Sequence, residues 1–453
     1  MEKRRTQKQA SDGYGRSRLL YIIEAALEYF IAIAVGTVYL ARITAEIGIS
    51  DSLTGILCSF VSLGCGFQIV AIFLANRRPV KPWVTWVHMI SQTLFALLYL
   101  VPLFSFSSAA KAVVFVILLL SAHILHNIIQ SPKINWYMSL VDDRRRGRFT
   151  ANKEIVSLIG GMVFSFLLGM LIDHYSATGE VRKSFVLCGI LLFALMILHS
   201  LTLIFSKEKP APPEKTPTGK IVKELFKDKT LFKLLLVSAL WNMANYATFS
   251  FTGTYQAKEL AFSSTFSSVV IMAGSLIRAI FSQPMGRFAD RFSFSKMLFV
   301  CFGIEAVAFG INVFTSPSNG KVFYAIFYIL YCIGMAGINN AMINLVYDYV
   351  DHERRTGALA LNYSLSGITG FLTTLALSPL VGMIQKNGNT FLGISVYAQQ
   401  VLSAISLLVV LAALVYLLTV VRKIPKKISS AEKYPQEPAD GASPNASADQ
   451  ELR

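Results

Sequence analysis

Charge is what this chain has least of. Asp, Glu, Lys and Arg together make up 15% of its 453 residues, against roughly 25% in a soluble globular domain, which excludes a water-soluble fold. Acids are scarcer than bases, 26 against 42, leaving a formal net charge of +16. That balance could draw nucleic acid only if the bases gathered where phosphates can reach them. They sit instead in short segments between long apolar runs, so no nucleic-acid partner is expected. Cysteine is sparse as well: Cys58, Cys65, Cys188, Cys301 and Cys332 all lie inside apolar runs without CxxC spacing, as small hydrophobes rather than metal ligands. No HExxH, GxSxG or phosphate-cradling glycine loop is present, so neither an enzyme nor a cofactor is expected.

What is abundant is apolar length, since 54% of the residues are hydrophobic. In a bilayer core every backbone N–H and C=O must be satisfied within its own segment, so runs of about 20 apolar residues become helices. Punctuation by turns and charges predicts twelve such spans, at 19–42, 52–75, 83–104, 112–137, 153–174, 184–206, 232–255, 265–287, 297–314, 322–346, 363–384 and 397–421. The first is too long for a cleaved signal and carries Glu24 and Glu28. The chain thus divides into an N-terminal tail (1–18), a six-helix half (19–206), a linker (207–231), a second six-helix half (232–421) and a polar C-terminal tail (422–453) that reads as disordered.

Loop charge orients the spans. Segments on the side of the two termini carry 33 Lys and Arg against 7 on the opposite side, and the positive-inside rule therefore puts both termini in the cytoplasm. The membrane expected is the plasma (inner) membrane.

The chain also repeats itself. The segment INWYMSLVDDRRRGRFTANKEIVSLIGG from Ile134 has a counterpart in INLVYDYVDHERRTGALALNYSLSGITG from Ile343, offset by 209 residues. Asp142, Arg145 and Arg146 stand against Asp351, Arg354 and Arg355. Two similar six-span halves in one orientation imply a parallel repeat about an axis along the membrane normal, with a cavity between the halves. The eighth span ends in GRFADRFSFSK, a Gly, then Asp-Arg, then a base, carried by Gly286, Asp290, Arg291 and Lys296.

On these residues the chain resembles the major facilitator superfamily, with Ser293 where that family usually has Gly and Ser295 where it often has a base. The matching first-half loop, FLANRRPVKP, is more degenerate, with Asn76 at the Asp position. The resemblance implies an all-α, twelve-helix transporter fold with spans one, four, seven and ten lining the cavity. It also implies a conformational latch in Gly286, Asp290, Arg291, Asp142, Arg145, Arg146, Arg354 and Arg355, where an Asp at a helix end can pair with Arg or cap a neighbouring helix.

Ionisable groups inside spans are costly and usually face an interior or a wet cavity. Glu24 and Glu28 lie one turn apart on one face of span one. Glu28 sits near the midplane, as a proton carrier, a Na⁺ ligand or half of a structural ion pair; Glu24, nearer the interface, could be solvated. Arg278 in span eight lies at similar depth and needs either a carboxylate, with Glu28 the candidate, or an anionic substrate. His123, His126, Asn127, Gln130 and Lys133 form one stripe on span four. Span seven offers Trp241, Asn242, Asn245 and Tyr246; span ten offers Asn339, Asn340 and Asn344. These stripes fall on the four spans that the resemblance assigns to the cavity. It places His88, His199 and Glu305 at the periphery.

The expected function is secondary active transport of a small polar or amphipathic organic solute, coupled to a proton or to Na⁺, by a monomer embedded in lipid. A non-transporting receptor on the same fold is the other reading, although the short polar tail offers it no signalling domain.

Overall fold

The computed structural model describes residues 13–74, 79–141, 146–209, 224–350 and 355–424. Helix dominates, as backbone self-satisfaction demands. Span one is two helices, Gly15–Ala34 and Thr37–Ile47, meeting at a 43° bend. Span two is Asp51–Cys58, Phe60–Gly66 and Gln68–Leu74, and span three is Val80–Leu97 continued by a 3₁₀ turn, Leu98–Leu103. Spans four to six are Ser108–Met138, Arg146–Ala177 and Val181–Phe205. The second half follows as Lys229–Thr254, Ser264–Arg291, Phe294–Val313, Gly320–Tyr349, Arg355–Lys386 and Ala398–Thr419.

Among the described residues ten helices are long and apolar enough to cross a membrane, and the bent pair makes an eleventh. Span seven completes the twelve. Its 26 residues include Asn242, Asn245, Thr248, Ser250 and Thr252, so its composition is diluted by the groups it turns toward other helices.

Local chemistry sets several span starts on the side away from the termini. The first N–H groups of a helix lack intrahelical partners, and short polar side chains supply them: Ser50 accepts from Leu53, Ser107 from Ala110 and Ser263 from Phe266. Gly48, with φ of 86°, closes the second helix of span one in the left-handed region open to glycine.

Each half buries its own apolar core. The first runs through Leu40, Leu57, Phe95, Phe115 and Leu192; the second through Trp241, Phe302, Phe309, Phe327 and Val410. The halves meet along spans one and seven, two and eleven, and five and eight. In a parallel repeat of six, span two corresponds to eight and span five to eleven. The last two pairings are therefore images of each other, and the two-fold arrangement expected from the 209-residue offset is present in the packing.

On the side opposite the termini the halves are bound tightly. Asp173, at the end of span five, accepts from the first backbone N–H groups of span eight, Ser264 at 2.9 Å and Thr265 at 2.7 Å. This is a carboxylate at a helix N-terminus, where the helix dipole favours it. Arg42 donates to the Phe262 carbonyl at 2.7 Å, and the Ser52 and Ser378 hydroxyls lie 2.6 Å apart. Lys258 pairs with Asp51, to which Gln385 also donates at 3.0 Å. Gly253 of span seven is pressed so closely on span one that a Cβ there would stand 2.1 Å from the Thr37 carbonyl oxygen.

Candidate functional site

The densest polar assembly inside the spans lies within the first half. Lys133 of span four is 2% exposed and sits between the two acids of span one: its Nζ is 2.8 Å from Glu24 Oε1, and it also bonds Glu28 Oε2. Gln130 donates to Glu28 Oε1 at 2.5 Å and lies 2.7 Å from His126 Nε2. His126 is in turn 3.5 Å from Glu28 and 3.4 Å from Gln92. On the other flank His199 of span six holds Glu24 at 3.0 Å, and His88 of span three meets His199 at 3.1 Å. A single buried network therefore joins spans one, three, four and six.

The helices explain the convergence. Glu24 and Glu28, and likewise His126, Gln130 and Lys133, recur at three- and four-residue spacing and so share helix faces. Two carboxylates bracket one ammonium; a buried charge of this kind persists only when paired and hydrogen-bonded. Exposure separates the acids. Glu24 is 1% exposed, whereas Glu28 is 18% exposed and can be reached by water or solute.

Several expectations are corrected here. Glu28 is paired with Lys133 and not with Arg278, because spans one and four pack within one half. Glu24 is not solvated but fully enclosed. His88 and His199, expected at the periphery, belong to the network through Glu24. His123 leaves the polar stripe: it is 6% exposed, its ring lies edge-on to Phe95 at 4.9 Å, and its carbonyl accepts from Asn127. Trp241 is buried and stacks on Phe302 at 5.6 Å, inside the second core.

Other candidates lie outside this network. Asn127 accepts from Gln68 at 3.1 Å. Asn245 accepts from Tyr331 at 3.0 Å, Asn242 donates to its own helix at Ser238, and Tyr246 rests against Gly370 of span eleven. Asn339 is half-buried, Asn340 is exposed, and Asn344 donates to the Asn340 carbonyl. Arg278 is half-buried in span eight. Glu305 is 0% exposed, and among the described residues neither carboxyl oxygen has a hydrogen-bond partner. Its carboxyl fills the notch left by Gly334, where a Cβ would lie 2.3 Å from Oε1. Of the latch residues, Asp142, Arg145 and Arg354 lie outside the described residues, as do the side chains of Arg146, Asp290 and Arg355. Arg291 lies over the Phe292 ring, and Gly286 has open space beside it.

A cavity of about 170 Å³ lies where span one breaks, lined by Ile33, Gly36, Phe249, Thr252, Gln256 and Tyr328. The Tyr99 hydroxyl caps the Ala34 carbonyl freed by that break, at 2.6 Å. Glu24, His88 and His199 each present a ligand atom within 4.8 Å of the others and could approach a cation. The Lys133 ammonium beside the same carboxylate opposes a second positive charge there.

Beyond the end of span seven, burial pushes the Glu259 carboxyl up to about 7, with the nearby Asp51 charge adding to the effect and Gln385 and Lys258 opposing it. Glu259 accepts from Gln385 at 3.3 Å, so it belongs to the same closed face as Asp51 and Lys258.

Comparisons with known proteins agree with this architecture. The family model described as Major Facilitator Superfamily matches residues 19–374 and 257–441. The solved nucleoside transporter NupG superposes with a TM-score of 0.66 at 16% identity, covering 88% of this chain and 98% of that one. An inward-facing, occupied bacterial homologue of the human lysosomal transporter Spinster gives 0.66 at 16% identity, covering 91% and 98%. A D-xylose-proton symporter gives 0.62 at 14% identity, covering 88% and 96%. A sequence search of curated proteins finds no match. The chain belongs to the major facilitator superfamily, and its two packed six-helix halves are the frame of a secondary transporter working by alternating access.

Proposed function

We propose that this protein is a proton-coupled transporter of a small polar or amphipathic organic solute, with Glu28 as the carrier of the coupling proton. The observation that carries this reading is the division of labour in the Lys133 network: Glu24 is sealed, while Glu28 shares the same ammonium and remains accessible. When Glu28 takes a proton, Lys133 is left to Glu24 alone, and the accessible edge of the network becomes neutral. A neutral edge can be enclosed on occlusion at far less cost than a carboxylate. The proton thereby favours the closed intermediate through which the halves exchange access.

The excess of Lys and Arg on the terminal side supports a cytoplasmic location for both termini. With the opposite face sealed by Asp51, Lys258, Arg42 and Asp173, the described state then corresponds to an inward-facing arrangement. The donors and acceptors of Asn127, Gln130, Asn245 and Tyr331, beside the Phe249 and Tyr328 rings, suit a solute with both polar and flat apolar parts.

Purified protein in liposomes, offered a panel of radiolabelled solutes under an imposed pH gradient or an imposed Na⁺ gradient, tests the proposal. Wild type accumulates a solute under the pH gradient. Glu28→Gln loses accumulation but retains solute exchange at equal pH. Undiminished accumulation by Glu28→Gln, or accumulation driven by Na⁺ alone, defeats the assignment.

A further inference from the structure

Arg278 sits at the middle of span eight with its guanidinium uncommitted. Among the described residues its guanidinium has no hydrogen bond or ion pair, and its backbone carbonyl accepts from the Ser282 hydroxyl. Three in-span acids are already occupied or enclosed. Glu24 and Glu28 are held by Lys133 on the other half, and Glu305 is sealed in the Gly334 notch. A guanidinium stays protonated at any working pH and presents five N–H donors in a planar fork.

Its surroundings are aromatic. Gly274, one turn earlier on the same helical face, lets span eight press on span ten, where a Cβ would come within 2.4 Å of Tyr328 and 2.6 Å of Cys332. Arg278 is within electrostatic reach of Tyr331 and Cys332. Tyr331 packs on Phe249 with ring centroids 4.1 Å apart and lies 6.1 Å from the Tyr328 ring. Tyr328 and Phe249 in turn line the cavity at the break in span one. Span eight thus sets a cation beside a ring surface of span ten.

Building on the transport site proposed above, we infer that the solute bears an oxyanion, a carboxylate or a phosphate monoester, which binds Arg278 while its body lies on the Tyr331–Phe249 surface. The fork matches two oxygens of such a group at once. A neutral solute would leave the guanidinium unpaired when water is expelled, at the cost of an unsatisfied buried charge. The oxyanion therefore does more than bind: it supplies the countercharge that lets the second half close over the site, so that an empty carrier returns slowly.

Thermal-shift titration of the purified full chain tests this with matched pairs: benzoate and other small aromatic carboxylates, sugar acids and phosphate monoesters, each beside its neutral amide or parent alcohol. At least one acid stabilises the wild type while its neutral partner does not, and the carboxylate and phosphate arms tell the two oxyanions apart. Arg278→Gln weakens that acid at least tenfold. Arg278→Lys, which keeps the charge and loses the fork, recovers part of it, separating lost recognition from lost folding. Equal binding of acid and neutral partner, no binding of any acid, or unchanged affinity in Arg278→Gln overturns the inference. Persistent proton-driven accumulation in Glu28→Gln, with acid binding lost in Arg278→Gln, would instead remove the proton assignment and leave this one standing.

Discussion

Lys133 holds its ammonium 2.8 Å from the Glu24 carboxylate, with both side chains no more than 2% exposed. Each charge exists in the interior only because the other is there.

Removing the cation alone should therefore be severe. Lys133→Met leaves the enclosed Glu24 carboxylate, with Glu28 beside it, without a countercharge and is expected to destabilise the protein by about 3–5 kcal/mol. Adding Glu24→Gln and Glu28→Gln to the same chain should recover most of that loss. Thermal unfolding of the wild type and the two variants in detergent checks the order, and a triple variant no more stable than Lys133→Met would argue against the pairing.

Acidity should favour closure of the face opposite the termini. Glu259 is pushed up to about 7 in the closed arrangement by burial, against about 4.3 for a free side chain. A raised carboxyl stabilises the closed face most fully below the free value, and that contribution fades as pH rises through about 7. Distances between spin labels on spans one and seven, read from pH 4 to 8, should lengthen on average as pH rises. Glu259→Gln should flatten the dependence; an unaltered profile would assign the titration elsewhere.

Close approach of spans one and seven gives a steric handle on the same equilibrium. Gly253→Ala places a methyl group 2.1 Å from a backbone oxygen of Thr37, which rigid helices cannot absorb. The variant is expected to fold, because each half keeps its own core, and to spend less time closed on that face. Alkylation of a cysteine introduced at Thr252 should be at least several-fold faster in the Gly253→Ala background.

Cross-linking provides the converse. The Ser52 and Ser378 hydroxyls lie 2.6 Å apart across the halves, so cysteines at both positions should form a disulfide under mild oxidation and arrest exchange. Reduction should restore it. Full exchange by the oxidised, cross-linked protein would show that this face need not part during the cycle.

The frame was legible because apolar length is a one-dimensional property: the bilayer demands a run of a certain length. The repeat from Ile134 to Ile343 added the pairing of halves. The network was legible only in part. Glu24 and Glu28 announce a shared face through their spacing, and depth along a helix follows from counting residues. Azimuth does not. Arg278 and Lys133 are both cations at plausible depth, and nothing in the spacing says that span one turns its acids inward to span four rather than across to span eight. Charge balance within each half was the available signal, since Glu24 and Glu28 of span one and Lys133 of span four all belong to the first half. His88 and His199 were lost for the same reason. Their spans are peripheral in the bundle as a whole, yet each has one side facing the centre of its own half.

The interruption of span one at Val35 and Gly36 carries a further consequence. Its first segment bears Glu24 and Glu28, and its second is welded to span seven at Gly253. A continuous rod would fix the rotational phase of the acids to that weld, since each residue advances a helix by about 100°. The interruption uncouples them, so the acidic face can turn by a fraction of a residue while the seal stays in register. A one-residue insertion at Gly36 should accordingly be absorbed, whereas the same insertion at Ala26 would swing Glu24 away from Lys133 and leave Glu28 in place.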